Sequence, residues 1–187
     1  MAKRQVGTQI VGGKFRGTKI PYKLSKDLRP TENKPKEMLF NWLLNDLTGM
    51  KCLDMFAGTG SLGLEAISRN ADLVVFIDKN KSLCEKISSI VKKIESREYA
   101  MIINANCFKV DLRNLTSEFD LIFLDPPYRK GLIDKSLKFL KENPIFSKGG
   151  LIYIEIEKDI ILPKVINNLK QIKMSSLGES NYYLYEA

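Results

Sequence analysis

Residues 51–69 read KCLDMFAGTGSLGLEAISR. A short apolar run meets an acid, a glycine-rich turn follows, and an amphipathic stretch opens directly after it. Residues 51–56 have the length of a buried strand, and 60–70 have the spacing of a helix. Gly58, Gly60 and Gly63 form a G-x-G-x-x-G between the two. That pattern lets backbone approach a ligand closely at a helix N-terminus. Strand, glycine turn and helix in this order make the first unit of an α/β sheet.

The rest of the chain extends the pattern. Downstream, the periodicity predicts strands at 72–78, 100–105, 119–125 and 150–156. Helices are expected at 79–95, 107–114, 131–142 and 159–170. Alternation of this kind places helices on both faces of a parallel sheet. "QIKMSSL" and "NYYLYEA" close the chain as two strands with a short Gly178-containing link, which predicts an antiparallel hairpin at one edge. Upstream, "GTQIVGGKFRGTKI" (7–20) reads as a hairpin turning at Gly12-Gly13. Residues 21–30 read as an extended connector, and 31–47 as a helix with Pro35 in its first turn. The expected organisation is a basic hairpin and connector over 1–30, then one α/β domain over 31–187.

Composition narrows the chemistry. The 187 residues include no histidine, which excludes Ser-His-Asp and Cys-His nucleophiles and the HExxH metal site. Cys52, Cys84 and Cys107 form no CxxC pair, so neither a zinc site nor a disulfide framework is expected, and no metal. No stretch has the ~20 apolar residues of a membrane span, and the N-terminus lacks the apolar run of a signal peptide. A cytoplasmic protein is expected. The formal charge of +8 is unevenly placed: ten Lys/Arg stand against Asp27 and Glu32 in residues 1–36, while the remainder is balanced. Such asymmetry points to a polyanionic partner, nucleic acid before membrane, with a merely solvated arm as the plain alternative.

In doubly wound sheets ligands bind beyond the carboxyl ends of the strands, so the strand tips carry the functional reading. Asp54 ends the first strand, before the glycine loop. A carboxylate there would repel a pyrophosphate but can accept hydrogen bonds from an ammonium. That favours S-adenosylmethionine over a dinucleotide. Asp78, at the second tip, is placed to accept ribose hydroxyls of any adenosine cofactor; capping the next helix is its plain alternative. Asn106, at the third, suits an adenine edge or an ordinary turn. The fourth tip reads Asp125-Pro126-Pro127-Tyr128. An exocyclic base amine is a poor nucleophile because its lone pair is delocalised into the ring. One side-chain oxygen and one rigid backbone carbonyl can bind its two N–H groups and localise the lone pair. Pro127 stiffens the Pro126 carbonyl, Tyr128 offers a stacking ring, and the Asp125 carboxylate offsets developing positive charge. A dehydrogenase has no use for such a tip, which leaves NAD binding a distant alternative.

With "DMFAGTGSLGLEA" and "LDPPY" in view, the chain resembles the RsmD family of bacterial guanine-N2 methyltransferases acting on 16S ribosomal RNA. "IVGGKFRGTKI", "LRPT", "LFNWL" and "LIYIE" look like family signatures in family order. The resemblance implies a seven-stranded Rossmann-like class I methyltransferase fold, mostly parallel with an antiparallel last strand, behind a small N-terminal β-hairpin. It implies S-adenosylmethionine at Asp54, Phe56, Gly58, Gly60, Asp78 and Asn106, where many members look to carry Asp at the Asn106 position. The target amine would meet Asp125, Pro126, Pro127 and Tyr128. RNA would meet Arg16, Lys19, Lys23, Arg29 and Thr31. A monomer acting on the small ribosomal subunit or its assembly intermediate is the expected setting. The alternatives are an adenine-N6 DNA methyltransferase, for which a sequence-reading domain has no room, and a non-catalytic RNA-binding module.

Overall fold

A computed structural model describes residues 6–22, 33–128 and 130–187. Among the described residues, eight strands form the main sheet, in the order Ala100–Asn104, Leu73–Asp78, Lys51–Asp54, Phe119–Leu124, Phe146–Glu157, Ser180–Glu186, Leu169–Leu177 and Val165–Ile166. The central strands are β3 (Lys51–Asp54), β4 (Leu73–Asp78), β5 (Ala100–Asn104), β6 (Phe119–Leu124) and β7 (Phe146–Glu157), all parallel to one another. β10 (Ser180–Glu186) runs antiparallel to β7 and pairs on its other side with β9 (Leu169–Leu177). These seven strands are the expected sheet, and the two-residue β8 (Val165–Ile166) extends its edge.

β3, β4, β6 and the second half of β7 bury both faces with period two. Cys52, Val74, Phe76, Leu121, Phe123 and Tyr153 face one core layer. Leu53, Val75, Ile77, Ile122, Leu124 and Ile154 face the other. Continuous apolar strands are what helices on both faces demand. α1 (Asn33–Trp42), α2 (Ser61–Ser68) and α3 (Lys81–Lys93) cover the first layer. α4 (Leu132–Glu142) and two single-turn 3-10 helices, at Cys107–Lys109 and Leu112–Asn114, cover the second. Gly63 lets α2 pack close against β4: a Cβ there would stand 2.2 Å from the Phe76 ring. Strand order reverses between β3 and β6, which opens a crevice at their carboxyl ends.

Three expectations are corrected. The helix at 159–170 does not form. Pro163 lacks an N–H and restrains the residue before it. The backbone there is satisfied by side chains of β10 instead: Asn181 donates to the Lys158 and Ile160 carbonyls, and Tyr185 to the Pro163 carbonyl. α1 stops at Trp42 rather than running to 47, because Leu44 and Asn45 turn left-handed, with φ of 56° and 63°. Gly12-Gly13 is not the hairpin turn. β1 (Val6–Gln9) and β2 (Lys19–Tyr22) pair antiparallel across a longer loop, closed by Ile10 N–H to Thr18 O and Gly17 N–H to Ile10 O. The hairpin lies on the same core as α1 and α2, with Ile10 and Ile20 buried in it.

Candidate active site

Beyond the carboxyl ends of β3–β6 lies a cleft of about 660 Å³. Asp54, Phe56, Gly58, Asp78, Asn106, Asp125, Pro126, Pro127 and Tyr128 all line it. Four separate strand tips thus converge as the local motifs suggested. Gly60 does not line the cleft; it is buried beneath the loop with φ 77°, and a Cβ there would stand 2.8 Å from Ile87.

The glycine loop is held by the two acids that flank it. Asp54 is 2 % exposed and accepts the Gly63 N–H at 3.1 Å, inside the first turn of α2. Burial pushes its carboxyl up to about 7, the Gly63 N–H opposes this, and the Asp78 charge adds to it. Asp78 accepts the Gly58 N–H at 2.8 Å and the Asn80 N–H at 2.7 Å. Asn80, not Asp78, caps α3, by accepting the Ser82 N–H. Asn106 accepts the Phe108 N–H and caps a 3-10 turn, so its plain turn role is present at the cleft wall.

At the fourth tip, Tyr128 leads back into the sheet. Its hydroxyl donates to Glu155 Oε1 at 2.8 Å and lies 2.5 Å from Ser180 Oγ. Burial and the Glu155 charge push the phenol far above its usual range, so it stays a donor. The ring remains half-buried on the cleft wall.

Of the expected RNA contacts, Arg16 and Lys19 are exposed on the hairpin and do not line the cleft. Lys23, Arg29 and Thr31 lie outside the described residues.

A family model described as "Conserved hypothetical protein 95" matches residues 8–186. The Haemophilus influenzae protein "Ribosomal RNA small subunit methyltransferase D" is 38% identical, over 95% of this chain and 93% of its own. The chain belongs to the RsmD family of methyltransferases. The Escherichia coli K12 relative of the same name is 34% identical over 95% of this chain and 89% of its own. A solved Escherichia coli structure, yhhF, matches with a TM-score of 0.83 at 31% identity, covering 97% of this chain and 98% of that one. An RNA methyltransferase from Salinibacter ruber, solved with S-adenosyl-L-homocysteine, shares the fold with a TM-score of 0.64 at 16% identity, covering 84% of this chain and 93% of that one.

The residues of this RsmD-family cleft fit S-adenosylmethionine on chemical grounds. Ser61 Oγ, at the N-terminus of α2, is buried on the cleft wall with no hydrogen-bond partner among the described residues. A methionine carboxylate would satisfy it there and meet the positive end of the helix. Asp54 suits an ammonium, and Ile77, Leu132 and Phe108 give apolar walls. Sequence reasoning missed Ser61, Phe108 and Lys135. Phe108 packs edge-on between Phe56 and Phe139, and the Lys135 ammonium sits 4.3 Å above its ring. Only the G-x-G-x-x-G spacing could have hinted at Ser61. Glu155 ends the signature LIYIE, which pointed to no role for it, and Ser180 carried no local signal.

Proposed function

We propose that this protein methylates the exocyclic N2 amine of a guanine in 16S, small-subunit ribosomal RNA, using S-adenosylmethionine. The observation that carries the reading is the presence of Asp125-Pro126-Pro127-Tyr128 in one cleft with Asp54 and Asp78. Relatives named for small-subunit ribosomal RNA supply the substrate class. The excess of positive charge in residues 1–36 agrees with a polyanion.

When bound, S-adenosylmethionine supplies a methyl group on a sulfonium, an electrophile that needs a competent nucleophile. Asp54, Ser61, Gly58 and Asp78 would hold it, and Asn106 and Phe108 would meet its adenine. The Asp125 carboxylate and the Pro126 carbonyl accept the two amine hydrogens and turn the nitrogen lone pair away from the base ring. Asp125 also offsets the positive charge that grows on nitrogen and takes up the proton that leaves. Tyr128 stacks the flipped base, held from behind by Glu155. Flipping costs a few kcal/mol, which stacking and phosphate contacts offset.

The protein works as a monomer in the cytoplasm, on the small subunit or an assembly intermediate. Among the described residues no helix is long and apolar enough to cross a membrane.

The test is incubation with undermodified small subunits, their 16S RNA and plasmid DNA, followed by mass analysis of nucleosides. N2-methylguanosine from RNA is expected, and N6-methyladenine in DNA would overturn the reading. Asp125→Ala is expected to lower turnover by about 100-fold or more with an unchanged melting temperature. Near-wild-type turnover would remove Asp125 from the chemistry.

A further inference from the structure

The sheet face beside β10 lacks the helix that the sequence pattern predicts at 159–170. The chain there lies extended along one row of β10 side chains. Asn181 donates to the Lys158 and Ile160 carbonyls, the Tyr183 hydroxyl accepts the Leu162 N–H at 3.3 Å, and the Tyr185 hydroxyl donates to the Pro163 carbonyl at 2.7 Å. Asn181 is itself held, because its side-chain oxygen accepts from Ser176 Oγ. The segment is therefore fixed in place, but a single extended strap covers less of a sheet than a helix about 10 Å across.

What it leaves uncovered is apolar. Ile160 and Ile161, on the strap, are 41 % and 72 % exposed. β9 lies on the other side of the β10 row. Its Met174 stands opposite Tyr183, and its register skips Ile172 between the Leu184 and Tyr185 pairs, which makes Ile172 the extra residue of a bulge. Met174 is 42 % exposed and Ile172 40 %. Single exposed apolar residues need no explanation. Six of the nine large ones exposed among the described residues fall between 160 and 177, however, so the exposure is gathered into one patch.

Charge narrows what covers it. Residues 160–177 carry Lys164, Lys170 and Lys173 and no acid, and none of the three lysines has an acidic partner among the described residues. Lysines along an outer strand keep a further strand from adding to the edge. A second copy of the chain would bring the same lysines, and its own net charge of +8, against the patch. RNA phosphate would satisfy the lysines but leave the isoleucines and the methionine wet.

We propose that this face docks an amphipathic helix of a protein partner. Apolar residues spaced i, i+3, i+4 and i+7 pack on Ile160, Ile161, Ile172 and Met174, and acidic residues meet Lys164, Lys170 and Lys173. The docked helix takes the layer that a doubly wound fold ordinarily fills from its own chain. None of these residues lines the cleft, so docking leaves the cofactor and target sites open. The inference does not rest on the RNA reading.

Full-length protein with isotope-labelled methionine methyl groups reports on the patch through Met174, whose NMR signal is assigned by its loss in Met174→Leu. The probe is a helical peptide of about 18 residues, ~27 Å long, with leucines on one face and glutamates on the other. A second peptide carries lysines in place of the glutamates, and a third probe is a short single-stranded RNA. The acidic peptide is expected to move the Met174 signal with a Kd of about 100 µM or below, and to bind about tenfold tighter than the basic one. Ile161→Ser is expected to weaken it about fivefold and Lys173→Ala about threefold. S-adenosylmethionine affinity and melting temperature should not change in either variant, which shows that both fold. No movement of Met174 at about 1 mM acidic peptide would overturn the surface. Equal affinity for the two peptides would overturn the acidic partner. Movement at lower concentrations of RNA than of peptide would assign the face to nucleic acid, and movement on concentrating the protein alone would assign it to a second copy; either overturns the proposal. All four outcomes leave the methyltransferase reading standing.

Discussion

Gly63→Ala sets two effects of opposite sign against each other. Gly63 lies inside α2, where alanine should gain about 1 kcal/mol in helix propensity. Its new Cβ would stand 2.2, 2.7 and 2.9 Å from three atoms of the Phe76 ring. Reaching ordinary contact at 3.4 Å requires a shift of about 1.2 Å, and Phe76 is 0 % exposed in the middle of β4. Forcing a methyl into a packed core costs about 1–3 kcal/mol, and a clash with three ring atoms belongs at the top of that range. The net expectation is a loss of about 1–2 kcal/mol, a melting temperature lower by about 2–8 °C. The shift also carries the Gly63 N–H away from Asp54, so cofactor affinity by calorimetry should fall about tenfold. Gly17→Ala is the control: its φ of 85° makes alanine strained, but nothing lies within 4 Å of the new Cβ. It should cost about 1 kcal/mol and leave cofactor affinity alone. A Gly63→Ala protein that melts at or above the wild type would refute the packing argument, since propensity alone predicts that result.

Asp54 offers a pH test, because its carboxyl is pushed up to about 7 in the folded chain by burial, with Asp78 adding to the shift and the Gly63 N–H opposing it. A raised acid contributes stability that is complete below its unfolded value of 3.8 and is lost as pH rises through about 7; Asp54→Asn should therefore gain on the wild type in melts at pH 8. An ammonium ligand needs the carboxylate, so S-adenosylmethionine affinity should strengthen with pH between about 5.5 and 7 and flatten in Asp54→Asn; a parallel slope in the variant would exclude Asp54 as the partner. Tyr128→Phe keeps the ring and removes the donor to Glu155, so it should lower stability by about 1–2 kcal/mol and kcat/KM less than tenfold. Tyr128→Ala loses stacking as well, about 1–3 kcal/mol more, and equal losses in the two variants would show that the ring does not stack the base.

The strand–glycine–helix unit was readable at 51–69 because each of its signals is local. Period-two burial, a glycine turn and a helical repeat are all written within about 20 residues, and so is the rigid tip at 125–128. The same locality misled at 159–170, where apolar spacing suggested a helix but Pro163 and the side chains of β10 decide the path. Gly12-Gly13 was read as a turn for a similar reason. Its actual partners, Glu65 and Ser68, lie more than 50 residues on.

By itself, then, the sequence determined the α/β order, the acids at the strand tips and the family, since these depend on short-range chemistry and spacing. Only the tertiary structure decided that Tyr128 leans on Glu155 and Ser180, that Ser61 finds no partner among the described residues beside the cleft, and that the basic loop is bolted to the far end of α2. The physical reason is that buried polar groups take whichever partner the packed chain brings within about 3 Å, and nothing in the local pattern names a partner 27, 52 or 53 residues away.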